Sequence, residues 1–169
     1  MERSDLTEIL DAANVLIEKM NNYAPASNKN NEFRADLAGL LVVSISSLYE
    51  NCIKEIILDY ALRHHQQFAA YTSRNYEKLN SKIRVDDLNK LAKLFDDKVH
   101  QKFTKNLKRI RQRTERWAGK DIVGSYNQIL TCRHSFAHAG ERTTTIEEAA
   151  LNHRIACQVI YAFHKSFSN

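Results

Sequence analysis

The chain has 169 residues, enough to bury a real core as one domain. Hydrophobic residues make up 43%, while only 4 Gly and 1 Pro are available for turns, which argues against an all-β fold and for long helices with short connections. The net charge of +5 excludes nothing by itself, but it is unevenly placed along the chain.

The first helix is expected over residues 5–20, where Leu6, Ile9, Leu10, Ala13, Leu16 and Ile17 recur at helical spacing and Asp5 with Glu8 forms a capping pair. The stretch NNYAPASNKNN breaks it, with Pro25 and repeated Asn as turn formers. A long helix over 33–64 follows, carrying Leu37, Leu41, Ser44, Leu48, Cys52, Ile56 and Tyr60 on one face. At 1.5 Å per residue it is roughly 45 Å long. TSRNYEKLNSK is weakly patterned and reads as irregular. Leu88, Leu91 and Leu94 mark a short helix, and Val99, Phe103, Leu107 and Ile110 a longer one.

Gly119 and Gly124 flank the next break. A helix through Ile129 then delivers TCRHSFAHAG, residues 131–140, with Gly140 as a natural stop. Thr145 and Glu148 form a capping box for the last helix, which carries Ile146, Ala150, His153, Cys157, Ile160, His164 and Phe167 along one face. The whole reads as an all-α bundle of about five to six helices, one domain over 1–169.

The longest apolar run, LAGLLVVSIS, is too short to span a bilayer, so no membrane is expected. MERSDLTEIL lacks the apolar core of a signal peptide. Cys52, Cys132 and Cys157 form neither an even disulfide set nor a CxxC pair. The expected location is the cytoplasm.

Between residues 102 and 120 the basic side chains Lys102, Lys105, Lys108, Arg109, Arg111, Arg113, Arg116 and Lys120 stand against Glu115 alone. Such a stripe suits a polyanion such as RNA, and Lys105, Lys108, Arg109, Arg111, Arg113 and Arg116 are its candidate contacts. A solvated helix face is the plainer alternative.

The segment 131–140 puts a fixed cation, Arg133, beside two titratable imidazoles, His134 and His138. His134 and His138 at i,i+4 can share a helix face as zinc ligands, but no second Cys/His pair has metal spacing. Cys132 and His134, two apart on a helix, point away from each other and make a poor nucleophile pair. Cys52 and Cys157 fall on apolar faces as small core residues. His153 and His164, on the apolar side of the last helix, read as satisfied core histidines, with His153 the one that could instead support a site from behind. Glu50 projects from a partly apolar stripe: it either pairs with Lys54 one turn on or orients an Arg or His of 131–140. Arg133 and His138, five apart, would leave an ideal helix about 140° from each other. They converge only if the helix bends between them or a second copy supplies the partner.

RHSFAHAG, after a helix and before a capped terminal helix in a small basic chain, resembles the Arg-x4–6-His motif of the HEPN superfamily. FRADLAGLLVVSISSLYENCIKEIILDYA, residues 33–61, is similar to the long helix of the RiboL-PSP-HEPN group, with Arg34 near its start and Tyr49-Glu50 in its middle. The likeness covers most of residues 30–168 in order and spacing.

The resemblance implies a helical bundle that dimerises with its motif segments face to face. It also implies a metal-independent endoribonuclease without cofactor, of the kind found as toxins of toxin–antitoxin or phage-defence systems. Arg133 and His138 then become the catalytic pair, and His134 fills the polar position after the motif Arg. RNA, a second copy and a cognate antitoxin or defence-system protein are the implied partners. Some HEPN toxins carry a modifiable Tyr two residues after the motif His, where this chain has Gly140.

The residue types suit the chemistry, since an imidazole can act as base or acid near neutrality and a guanidinium grips a phosphate in a forked geometry. The competing expectation is a non-catalytic HEPN-like module that binds RNA, a nucleotide or a protein.

Overall fold

The computed structural model describes residues 1–27, 30–77, 79 and 82–168. Among them there are seven helices and no strand. In chain order these are α1 (Arg3–Tyr23), α2 (Asn31–His64), α3 (Gln66–Asn75), α4 (Val85–Phe95), α5 (Asp97–Ala118), α6 (Ile122–Ala139) and α7 (Ile146–Phe167). Residues 28 and 29 of the Asn-rich loop, and 78, 80 and 81 of the segment expected to be irregular, lie outside the described residues.

The all-α expectation holds, but the helix count rises to seven through α3. His65 takes an extended conformation that stops α2, and its own Nδ1 then accepts the Gln67 N–H at 3.1 Å to start a new helix. α3 is short and buries only Ala69 and Thr72, so its apolar periodicity is too sparse to read.

Three smaller expectations shift. The capping pair of α1 sits one turn earlier: the Glu2 N–H donates to Asp5 Oδ2 at 2.8 Å. Gly119 ends α5 at φ 62, but Gly124 lies within α6, whose start is set by Asp121 accepting the Val123 N–H. α4 turns Val85, Leu88, Leu91 and Ala92 inward and leaves Leu94 outside at 75% exposure.

α7 is the hub, packed against α2, α5 and α6 and touching α1. α3 packs on α2, and α4 on α5. α2 is long and apolar enough to cross a membrane by length and composition, which the ten-residue run understated. One side of it lies in the core, where Leu41, Val42, Ile45, Tyr49, Ile53, Ile56 and Ile57 are buried, while Phe33, Leu40 and Leu62 are exposed.

Arg34 enters this core as a tie. It is 8% exposed and donates to the Ala24 carbonyl, to Asn21 Oδ1 at 3.1 Å and to Glu147. The end of α1 and the starts of α2 and α7 are thereby held by one guanidinium whose two terminal nitrogens both find acceptors.

Candidate active site at the end of α6

The position of α6 is set by an aromatic ladder through the core. Tyr126 of α6 stacks on Tyr49 of α2 at 5.1 Å between centroids, and Tyr49 stacks on His153 of α7 at 5.7 Å. Such contacts stabilise by about 0.5–1.5 kcal/mol beyond burial and fix relative helix position. Tyr126 also donates its hydroxyl to the Ile83 carbonyl at 2.9 Å.

His153 Nε2 lies 3.2 Å from the Leu10 carbonyl, which can only accept, so that nitrogen carries the proton. Nδ1 then accepts from the Tyr49 hydroxyl at 3.0 Å. His153 is therefore satisfied on both nitrogens inside the core, and burial pushes its pKa below the usual value. The same burial pushes the thiols of Cys52 and Cys157 up to about 12, which leaves neither as a thiolate at neutral pH.

Further along α6, Ile129, Leu130 and Cys132 are buried, and the Phe136 ring packs directly against Gly39 of α2. Gly140 closes the helix at φ 66, with its N–H on the Phe136 carbonyl at 3.0 Å and the Glu141 N–H on the Ser135 carbonyl at 3.3 Å. Beyond the cap, Arg142 returns to the start of α2. Its Nε and one terminal nitrogen reach the two Asp36 oxygens at 2.6 and 3.0 Å, and Glu32 lies at 3.3 Å.

On this anchored helix end, Arg133 is half-buried and His134 and His138 are exposed. The two imidazoles lie against each other, centroids 4.5 Å apart. α6 runs unbroken to Ala139, so Arg133 and His138 stay about 140° apart around the axis. One chain therefore presents the cation and the imidazole pair on different sides of the helix. Four grooves on the surface, of about 620 to 770 Å³, are lined by other residues. Among the described residues no third His, Cys, Asp or Glu joins the His134–His138 pair to hold a metal ion.

Glu50 stands elsewhere. Its Oε1 accepts the Leu79 N–H at 3.2 Å and faces Lys54 Nζ at 3.4 Å, tying the segment after α3 to α2. The basic stripe also divides. Arg111 is spent on a two-point pair with Asp121, Nε to Oδ1 at 2.8 Å and a second contact at 2.9 Å. Arg116 donates to the Gln112 carbonyl of its own helix. Lys105 and Lys108 are exposed, and Arg109 and Arg113 turn toward α7.

The RiboL-PSP-HEPN family model matches residues 4–169, nearly the whole chain. The chain belongs to the RiboL-PSP-HEPN family. HEPN domains are commonly ribonucleases. No curated protein and no solved structure matches the chain significantly. Arg133 and His138, spaced as Arg-x4-His, lie within the matched residues.

Proposed function

We propose that this RiboL-PSP-HEPN protein is a metal-independent endoribonuclease whose site forms where the α6 ends of two copies meet. The observation that carries the reading is an intact Arg133…His138 motif at a solvent-facing helix end, in a chain matched to the family over residues 4–169. A second copy answers the divergence of Arg133 and His138 around α6, because an isologous contact sets each motif against its twin.

The surface beside the motif suits such a contact. On α2, next to Gly39, the strip Leu40, Val43, Ser44 and Ser47 is uncharged and at least partly exposed. Both serine hydroxyls are satisfied within the helix, on the Leu40 and Val43 carbonyls. Little desolvation cost opposes covering that strip.

In the proposed reaction, His138 of one copy takes the proton from a ribose 2′-OH as the oxygen attacks the adjacent phosphorus. The Arg133 guanidinia hold the phosphoryl oxygens and stabilise the negative charge that builds there. The bond from phosphorus to the 5′-oxygen breaks, and the leaving oxygen takes a proton from the second copy's imidazolium. The products are a 2′,3′-cyclic phosphate and a 5′-hydroxyl. DNA, without the 2′-OH, is not cut. A role as a toxin–antitoxin or phage-defence effector in the cytoplasm fits this activity. With Gly140 where some relatives carry a modifiable Tyr, control would come by another route than modification there.

The test is end-labelled RNA incubated in excess EDTA with wild type and His138→Ala, with the product ends analysed. Cleavage by wild type alone, leaving cyclic phosphate ends, supports the reading. A folded wild-type protein that binds RNA but leaves it uncut would place the chain with non-catalytic HEPN modules.

A further inference from the structure

A groove of about 770 Å³ lies between α5 and α7, with neither Arg133 nor His138 in its lining. α5 contributes Arg109, Arg113 and Trp117. α7 contributes Arg154, Tyr161 and Lys165, which recur at i, i+7 and i+11 and so form one stripe of that helix. Arg3 of α1 closes one end, its guanidinium 5.1 Å from the centre of the Tyr161 ring.

Two features of this groove are unusual. Among the described residues its lining holds five permanent cations and no carboxylate side chain. Among the described residues none of the five is ion-paired, whereas Arg34, Lys54, Arg63, Arg111 and Arg142 each have an acidic partner. Like charges gathered on one concave wall repel one another and favour an anion between them. The second feature is Trp117, 88% exposed at the rim. Tryptophan is among the residues most heavily buried on average, so a bare indole beside arginines is a free stacking surface.

We infer that this groove binds single-stranded nucleic acid, with an unstacked base on Trp117 and the flanking phosphates on Arg109, Arg113, Arg154 and Lys165. A duplex keeps its bases stacked and offers Trp117 no face, so the groove selects strands that are already open. That the strand is RNA rests on the ribonuclease reading; the groove's chemistry stands without it. The inference narrows the substrate to single-stranded RNA and assigns recognition to residues distant in sequence from the motif.

Trp117 is the only tryptophan, so its emission reports on the groove alone. Binding is measured with His138→Ala, which removes cleavage, using a labelled oligouridylate, the same strand annealed to its complement, and free UTP. The expected result is quenching of Trp117 by the single strand and at least about ten-fold weaker binding of the duplex. Arg113→Gln with Arg154→Gln, and separately Trp117→Ala, weaken strand binding about ten-fold or more. Lys90→Gln with Lys93→Gln, equal in charge and exposed on α4 outside the groove, changes it less than about three-fold.

Equal binding of strand and duplex, with the groove variants matching the control, overturns the inference. So does UTP competing at the same concentration as the strand, which would make the groove a mononucleotide site. A Trp117 emission that tracks protein concentration and ignores RNA would make it a contact between copies and overturn it equally. Failure of the ribonuclease reading looks different: RNA stays uncut by wild type while groove-dependent binding persists.

Discussion

The ring of Phe136 occupies the space into which a Cβ at residue 39 would project. Gly39 lies in the body of α2, where glycine weakens a helix by about 1 kcal/mol relative to alanine, and here it admits α6 to close range. Phe136 stands between Arg133 and His138, so the contact fixes the turn that carries both. Gly39→Ala should therefore overpack this junction. Gained helix propensity offsets part of a strain of about 1–3 kcal/mol, so thermal stability falls modestly. RNA cleavage should fall further than stability does, because the half-buried Phe136 relieves the clash by swinging out and carrying the motif turn with it. Melting temperature and cleavage rate measured together separate the two effects.

The core histidine predicts a pH dependence of stability. Burial, the largest cause, pushes the His153 pKa below 6.5, against smaller opposing effects from the Leu10 carbonyl and Asp11. The unfolded chain then takes up the proton more readily than the folded one. The stability this contributes is complete above about pH 6.5 and is lost as the pH falls toward the folded-state value. His153→Gln can keep both hydrogen bonds without titrating. Its melting temperature should fall less steeply than that of wild type between about pH 7 and 5. Asp59 and Glu147, whose carboxyls sit below their usual values, act at lower pH and leave that window to His153.

The divided basic stripe gives a paired prediction. Arg111 clasps Asp121, so Arg111→Ala loosens the α5–α6 junction by about 0.5–1 kcal/mol, in the range of exposed ion pairs. It should change RNA affinity little, since that guanidinium is already committed. Arg109→Ala should leave stability unchanged, weaken RNA binding, and lower the slope of log affinity against log salt by about one unit. Equal losses from the two variants would show that the whole helix face, and not the groove side, meets RNA.

The helices that could be read from the sequence are those with a full apolar stripe. α2 and α7 announce themselves through Leu41, Cys52, Ile56, Tyr60, Ile160 and Phe167, all buried, while Leu37, Ser44 and Leu48 of the expected α2 face are only partly covered. α3 was hidden because ten residues burying Ala69 and Thr72 carry too little pattern. Gly124 misled because glycine costs little in the first turn of a helix, where Asp121 supplies the cap.

The motif was legible as a string and through the family it resembles. Its surroundings were not. Nothing in the sequence sets Phe136 against Gly39, or Glu50 beside Leu79. The α5–α7 groove joins Trp117 to Arg154 and Tyr161 across a gap of dozens of residues, and only the packing of α5 on α7 reveals it. The signals available in the sequence were Arg109 and Arg113 of the basic stripe and a lone tryptophan followed by Ala-Gly at the helix end.

In the proposed enzyme two copies build one site, each supplying its His138. The most direct measurement mixes wild type with an equal amount of His138→Ala under conditions that let subunits exchange, and follows RNA cleavage in EDTA. If each site draws on both copies, mixed dimers are dead and about a quarter of the all-wild-type activity remains, since only wild-type pairs work. Half the activity remaining would mean that each chain cuts alone, and would contradict a site shared between copies.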